Sequence, residues 1–119
     1  MEVGLTPVKY ADRDLIRICK ASAAFRNGRS VAGIQAKVTE EQQVRLNYIR
    51  DSDGKAFRYD CLVKGNVVLF RMIDAAGPGT GPGIWSGSGS KTTFKLNPES
   101  IDLKDDFLDG SSDVERIQI

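Results

Sequence analysis

Cys19 and Cys61 are the residues of this 119-residue chain whose type most directly permits chemistry, and their spacing limits what they can do. They lie too far apart for a CxxC redox site. Because the chain holds no histidine, they could join a zinc site only with carboxylate ligands. One disulfide or two buried thiols remain. The missing histidine also removes the commonest general base, so a Ser or Cys nucleophile would need a Lys or carboxylate in its place. Acidic residues gather at Asp102, Asp105, Asp106 and Asp109, but no spacing selects two of them as a glycosidase-type pair or a divalent-metal site, and the EF-hand pattern is not met. Such a charge run reads as a solvated loop. The segment Gly77, Pro78, Gly79, Thr80, Gly81, Pro82, Gly83 resembles a phosphate loop only superficially. It lacks the Gly-Lys-Ser/Thr ending, no helical pattern follows it, and its prolines remove amide donors. The expectation is a non-enzymatic chain with no catalytic residues, no bound metal and no cofactor.

The elements that position these residues follow from periodicity. Leu15, Ile18, Cys19, Ser22 and Phe25 recur at helical spacing, with Asn27 and Gly28 as a C-terminal stop. Two starts are defensible, one with Thr6 as N-cap before Pro7 and one at Asp12. After Gly33 the period changes to two. Ile34, Ala36 and Val38 form one strand, and Val44, Leu46 and Tyr48 a second that opposes it. Asp53 and Gly54 read as a two-residue hairpin turn that pairs Tyr48 with Tyr59 and Leu46 with Cys61. Gly65 and Asn66 form a second such turn, setting Val63 against Val68, Cys61 against Phe70 and Tyr59 against Met72 on one core-facing side. Residues 74–91 read as a long mobile Gly/Pro-rich loop interrupted by Ile84 and Trp85. Strands follow around Thr92, Phe94 and Leu96, around Ile101 and Leu103, and from Val114 to Ile119. The chain therefore reads as a single α+β domain over 1–119, an N-terminal helix packed on an antiparallel β-meander of roughly five to seven strands.

Cys19 and Cys61 then point into the same layer, which makes a disulfide geometrically reasonable and the favoured expectation. Two reduced cysteines acting as small core hydrophobes are the alternative. On the opposite sheet face, Asp60 pairs with Arg71 as an exposed ion pair worth about 0–1 kcal/mol. Leu62, Val67, Leu69 and Ile73 share that face, more apolar than a solvated surface needs. Together with open sheet edges they point to self-association or a covering partner. Arg45, Arg58 and Arg71 make a weak basic patch with Ile49 among them. Asp60 sits within it, and 17 basic against 16 acidic residues leave a net charge of +1, so nucleic acid is disfavoured. Trp85 either folds back to cap the core or stays exposed as a contact residue, with core capping the favoured reading. No apolar run approaches the roughly 20 residues of a membrane helix, so no membrane insertion is expected. Met1 to Tyr10 lacks the features of a signal peptide, which fits either a cytoplasmic protein or a chain whose leader has been trimmed.

Ile18, Cys19, Lys20 and Ala21, followed by Asp53, Gly54, Lys55, Phe57, Tyr59, Cys61, Gly65, Asn66 and Val68, resemble a pattern in small uncharacterised exported bacterial proteins, in which a helical cysteine accompanies a later YxC strand. The likeness covers about two-thirds of the chain. It implies a helix on an antiparallel sheet and a disulfide in the cell envelope, with no assigned activity, and the glycine-rich loop is not part of it. Chains of this size are also common products of mobile gene cassettes. The expected function is a binding or interaction module. An inhibitor or immunity-type protein anchored on Trp85 is one alternative, and a small-ligand protein or enzyme with a pocket under the glycine-rich loop is another.

Overall fold

A computed structural model describes residues 9–27, 31–49, 54–73, 79, 81, 83, 85 and 90–119. One helix, α1 (Asp12–Asn27), packs on a seven-stranded antiparallel sheet whose strands lie in sequence order. These are β1 (Gln35–Glu40), β2 (Gln43–Ile49), β3 (Ala56–Lys64), β4 (Val67–Met72), β5 (Ser90–Leu96), β6 (Ser100–Phe107) and β7 (Ser112–Gln118). Among the described strands β1 and β7 are the outermost, and the sheet stays open.

The helix begins at the later of its two possible starts. Asp12 and Asp14 in its first turn and Arg26 in its last complement the helix dipole. Thr6, Pro7 and Gly28 lie outside the described residues. Leu15, Ile18, Cys19 and Ser22 are fully buried as the spacing predicts, and Ala21, Ala23 and Ala24 widen the buried stripe. Small side chains there let the helix sit close to the sheet. Phe25 is half-buried. The Ser22 hydroxyl is buried without a hydrogen-bond partner among the described residues.

Two polar fastenings hold the N-terminal half of the helix. Just before it, the Tyr10 amide donates to Gln42 Oε1 at 3.1 Å, Gln42 Nε2 donates to the Tyr10 carbonyl, and the Tyr10 hydroxyl donates to the Gly65 carbonyl at 2.8 Å. Gln42 adopts φ +59°, a conformation that favours glycine, and this reciprocal amide pairing compensates for it. Further along the helix, Arg17 donates to the Asn97 and Pro98 carbonyls at 2.6 and 3.1 Å and to the Ile119 carbonyl at 3.1 Å. It thereby ties the helix to the β5–β6 turn and the end of the chain.

The Gly65–Asn66 turn forms as its sequence predicts, with Gly65 at φ +59°, and every β3–β4 pair expected from it is present. The β2–β3 register differs. Val44 faces Cys61, Leu46 faces Tyr59 and Tyr48 faces Phe57, two residues away from the pairing that a two-residue turn at Asp53–Gly54 would impose. As described, β2 ends at Ile49 and β3 begins at Ala56, with Gly54 and Lys55 outside either strand. Gly54 has φ +68°, and Asp53 lies outside the described residues. A shift of two preserves side-chain parity, which is why every apolar residue keeps its expected face. Tyr48 and Tyr59 still stack diagonally, with ring centroids 6.0 Å apart. Ile34 is buried but precedes β1, following a single 3-10 turn at Val31–Gly33. The glycine-rich connection ends sooner than expected because β5 begins at Ser90, and most of that loop lies outside the described residues. β4 and β5 share only the pairs Val67–Thr93 and Val68–Thr92.

Cys19 and Cys61 form a disulfide, fully buried between α1 and β3. It closes a separation of 42 residues, which on the chain-entropy account stabilises the fold by about 4 kcal/mol. We predict that Cys19→Ala with Cys61→Ala lowers the unfolding free energy in urea by about that amount. A mild reductant should open the bond only once denaturant is added. Fast reduction of the native protein would contradict the buried placement.

Candidate interaction surface on the outer sheet face

Residues that pair across strands share a face, so the register defines the side of the sheet turned away from α1. Its basic side chains are Lys37, Arg45, Arg58, Lys64 and Arg71 on β1–β4 and Lys91, Lys95, Lys104 and Arg116 on β5–β7. Against these nine stand four acids, Glu40, Asp60, Asp102 and Asp106. Among the described residues this face therefore carries an excess of positive charge, although the chain's net charge is only +1. Composition alone cannot reveal this, because it does not say which face a residue occupies.

Asp60 organises the centre of the face. Its side chain is 0% exposed and accepts from two arginines, Arg45 Nε to Oδ1 at 2.5 Å and Arg71 Nε to Oδ2 at 2.9 Å. The expected exposed Asp60–Arg71 pair is therefore a three-residue cluster around a buried carboxylate. The register explains the difference, because the two-residue displacement brings Arg45 opposite Asp60, where a two-residue turn would have placed Asn47. The arginine side chains remain 34% and 23% exposed. Arg71 is also covered by Trp85, whose ring centroid lies 4.3 Å from the guanidinium carbon, within cation–π range.

Trp85 accordingly lies against the outer face and is not part of the core cluster, contrary to the core-capping expectation. The physical reason is its partner, since Arg71 projects from β4 away from α1. Gly83 brings the loop to this edge by donating its amide to the Met72 carbonyl at 2.9 Å. Leu62, Val67, Leu69 and Ile73 all occupy the outer face as expected and are half-buried, with Leu62 directly opposite Leu69. The structure thus brings Trp85 and the apolar set onto one face and places Arg45, Asp60 and Arg71 among them. Sequence reading found the three arginines and the aspartate but not their joint geometry. The available signal was a lone acid among arginines on one strand face.

The acidic residues near the C-terminus do not converge. Asp102 accepts from Arg116 Nε at 2.6 Å on the outer face, and Asp106 lies 3.5 Å from Lys104 there. Asp105 accepts from the buried Thr92 hydroxyl on the inner face, while Asp109 accepts from the Ser111 amide and hydroxyl in a turn. Hydrogen bonds from Arg116 and then Asn97 hold the Asp102 carboxyl below its usual range. Among the described residues no group of three or more His, Cys, Asp or Glu could hold a metal ion.

Two open concavities lie apart from Trp85. One of about 590 Å³ lies over β5–β7, bounded by Lys95, Lys104, Val114 and Arg116. The other, of about 630 Å³, lies between α1 and the β5–β6 turn, around Arg13, Ile16, Lys20 and Glu99. No described residue of the glycine-rich loop borders either one. No described helix is long and apolar enough to cross a membrane. Comparison with protein-family models, with curated proteins and with solved structures finds no match to the chain.

Two predictions follow from these pairings. Asp60→Asn leaves two oriented arginines facing an amide and should cost about 3 kcal/mol of stability, as removing one partner of a buried ion pair does. Replacing the cluster together, with Asp60→Leu, Arg45→Met and Arg71→Met, should recover that loss in full in the same urea titration. The second concerns pH. A carboxyl whose folded pKa is depressed stabilises the fold above its unfolded pKa, and that contribution is lost as pH falls through the folded value. Asp102→Asn should therefore flatten the fall in melting temperature on acidification below about pH 4. An unchanged acid limb would show that the Arg116 pair contributes nothing.

Proposed function

We propose that the chain is a non-enzymatic binding module that docks a partner protein on its outer sheet face, with Trp85 and the Arg45–Arg71 pair as anchors. The arginine pair clamped by Asp60, with Arg71 stacked under Trp85, carries this reading. Trp and Arg are the residues that most often dominate protein interfaces, and these are already held in place, so docking orders little further side-chain freedom. Leu62, Val67, Leu69 and Ile73 surround them with half-buried apolar surface of the kind found at interface centres.

The excess of basic side chains on the face favours an acidic partner and disfavours a second copy, which would bring the same sign of charge to the contact. An inhibitor or immunity-type role is one form such docking could take. The Cys19–Cys61 disulfide suits an oxidising compartment, which favours action in the cell envelope or outside the cell.

Affinity capture from host extract under non-reducing conditions tests the reading. Wild type should retain a discrete protein that Trp85→Ala retains at least about tenfold less, matching the loss of an interface anchor. Equal retention by both forms, or retention by neither, would remove support for docking on this face.

A further inference from the structure

We propose that the outer-face site receives an extended acidic segment of the partner, with a carboxylate between Arg45 and Arg71 and an apolar side chain two residues away over Leu62 and Leu69. This rests on the docking reading above and specifies its partner. Each arginine gives Asp60 only its Nε, and among the described residues neither guanidinium donates from an Nη nitrogen. Two partly exposed guanidinium groups therefore present unused donors beside one another, oriented by a carboxylate that is itself fully buried. Two arginines and one aspartate leave one uncompensated positive charge, which a single carboxylate matches. The planar donor fork of arginine suits that group.

The neighbouring strand positions favour a peptide over a free anion. Asp60 and Leu62 lie two residues apart on β3, and their partners Arg71 and Leu69 lie two apart on β4. Charged and apolar subsites thus sit roughly 7 Å apart, the spacing of alternate residues in an extended chain. A small anion would leave the leucine pair unused. A nucleic-acid strand would find one aromatic side chain, Trp85, and an apolar neighbour where a second phosphate contact is needed.

Trp85 is the chain's only tryptophan, so its fluorescence reports directly on the site. The probe is a short capped peptide with Leu and Glu two positions apart among serines, compared with its Leu/Gln counterpart on the wild-type protein. The Glu peptide should give a saturable change at least about tenfold tighter than the Gln peptide and weaker at high salt. Arg71→Gln should abolish the difference between them. The two-peptide comparison needs no variant and stands even if Arg71→Gln fails to fold. Equal affinities, or no saturable change with either peptide, overturn the proposal. So does a stronger response to inorganic phosphate or to a single-stranded oligonucleotide, which would assign the donors to a free anion or a polyanion. If both peptides fail while Trp85→Ala still loses the captured protein, docking on this face survives and its carboxylate specificity does not.

Discussion

One covalent bond fixes how a single helix covers seven strands. A 16-residue helix is about 24 Å long, while seven strands span about 29 Å. Laid across the strands, one helix therefore reaches nearly the full width of the sheet. The Cys19–Cys61 bond joins the helix to β3, an inner strand of the first four. Arg17 ties it to the β5–β6 turn and to Ile119. The helix accordingly contacts β1, β2 and β3 on one side and β5, β6 and β7 on the other. Between the two halves, β4 and β5 pair over only two residues each, and Tyr10 closes that seam by packing on Phe94 and bonding to Gly65. The sheet is thus two laddered halves joined by a short seam and held to one helix.

That arrangement determines what was legible from sequence. Period-two alternation assigned Val44, Leu46, Cys61, Val63, Val68 and Phe70 to the core face, and all of them are buried there. The Gly65–Asn66 turn fixed the β3–β4 register because a two-residue loop leaves it little freedom. The β2–β3 connection gave no such constraint. An Asp-Gly pair permits a tight turn without imposing one, and parity cannot detect an error of two. Face assignments therefore survived an incorrect register, while the identity of the residue opposite Asp60 did not.

Trp85 was illegible for a different reason. Its position depends on a tertiary partner, Arg71, and no local periodicity in a Gly/Pro-rich stretch points toward one face or the other. Arg17 was similarly hidden. It lies off the helical stripe of Leu15, Ile18, Cys19 and Ser22, yet its long side chain reaches backbone carbonyls that only the closed fold brings near. Long polar side chains satisfy backbone groups at a distance, and such bonds leave no pattern in neighbouring residues.

The outer-face cluster is best understood by asking what else could occupy its positions. A buried ion pair gains its Coulomb attraction against a desolvation cost of similar size, so three apolar residues at positions 45, 60 and 71 would hold the strands together at least as well. Stability therefore does not account for charges there. What an apolar trio could not supply is two guanidinium groups in fixed orientation at the surface, with one already stacked on an indole ring. Burial of Asp60 beneath them keeps its negative charge from meeting a ligand while still orienting both donors. The face consequently presents ordered positive charge beside the Leu62–Leu69 pair, a combination that recognises an anion and its apolar neighbour together.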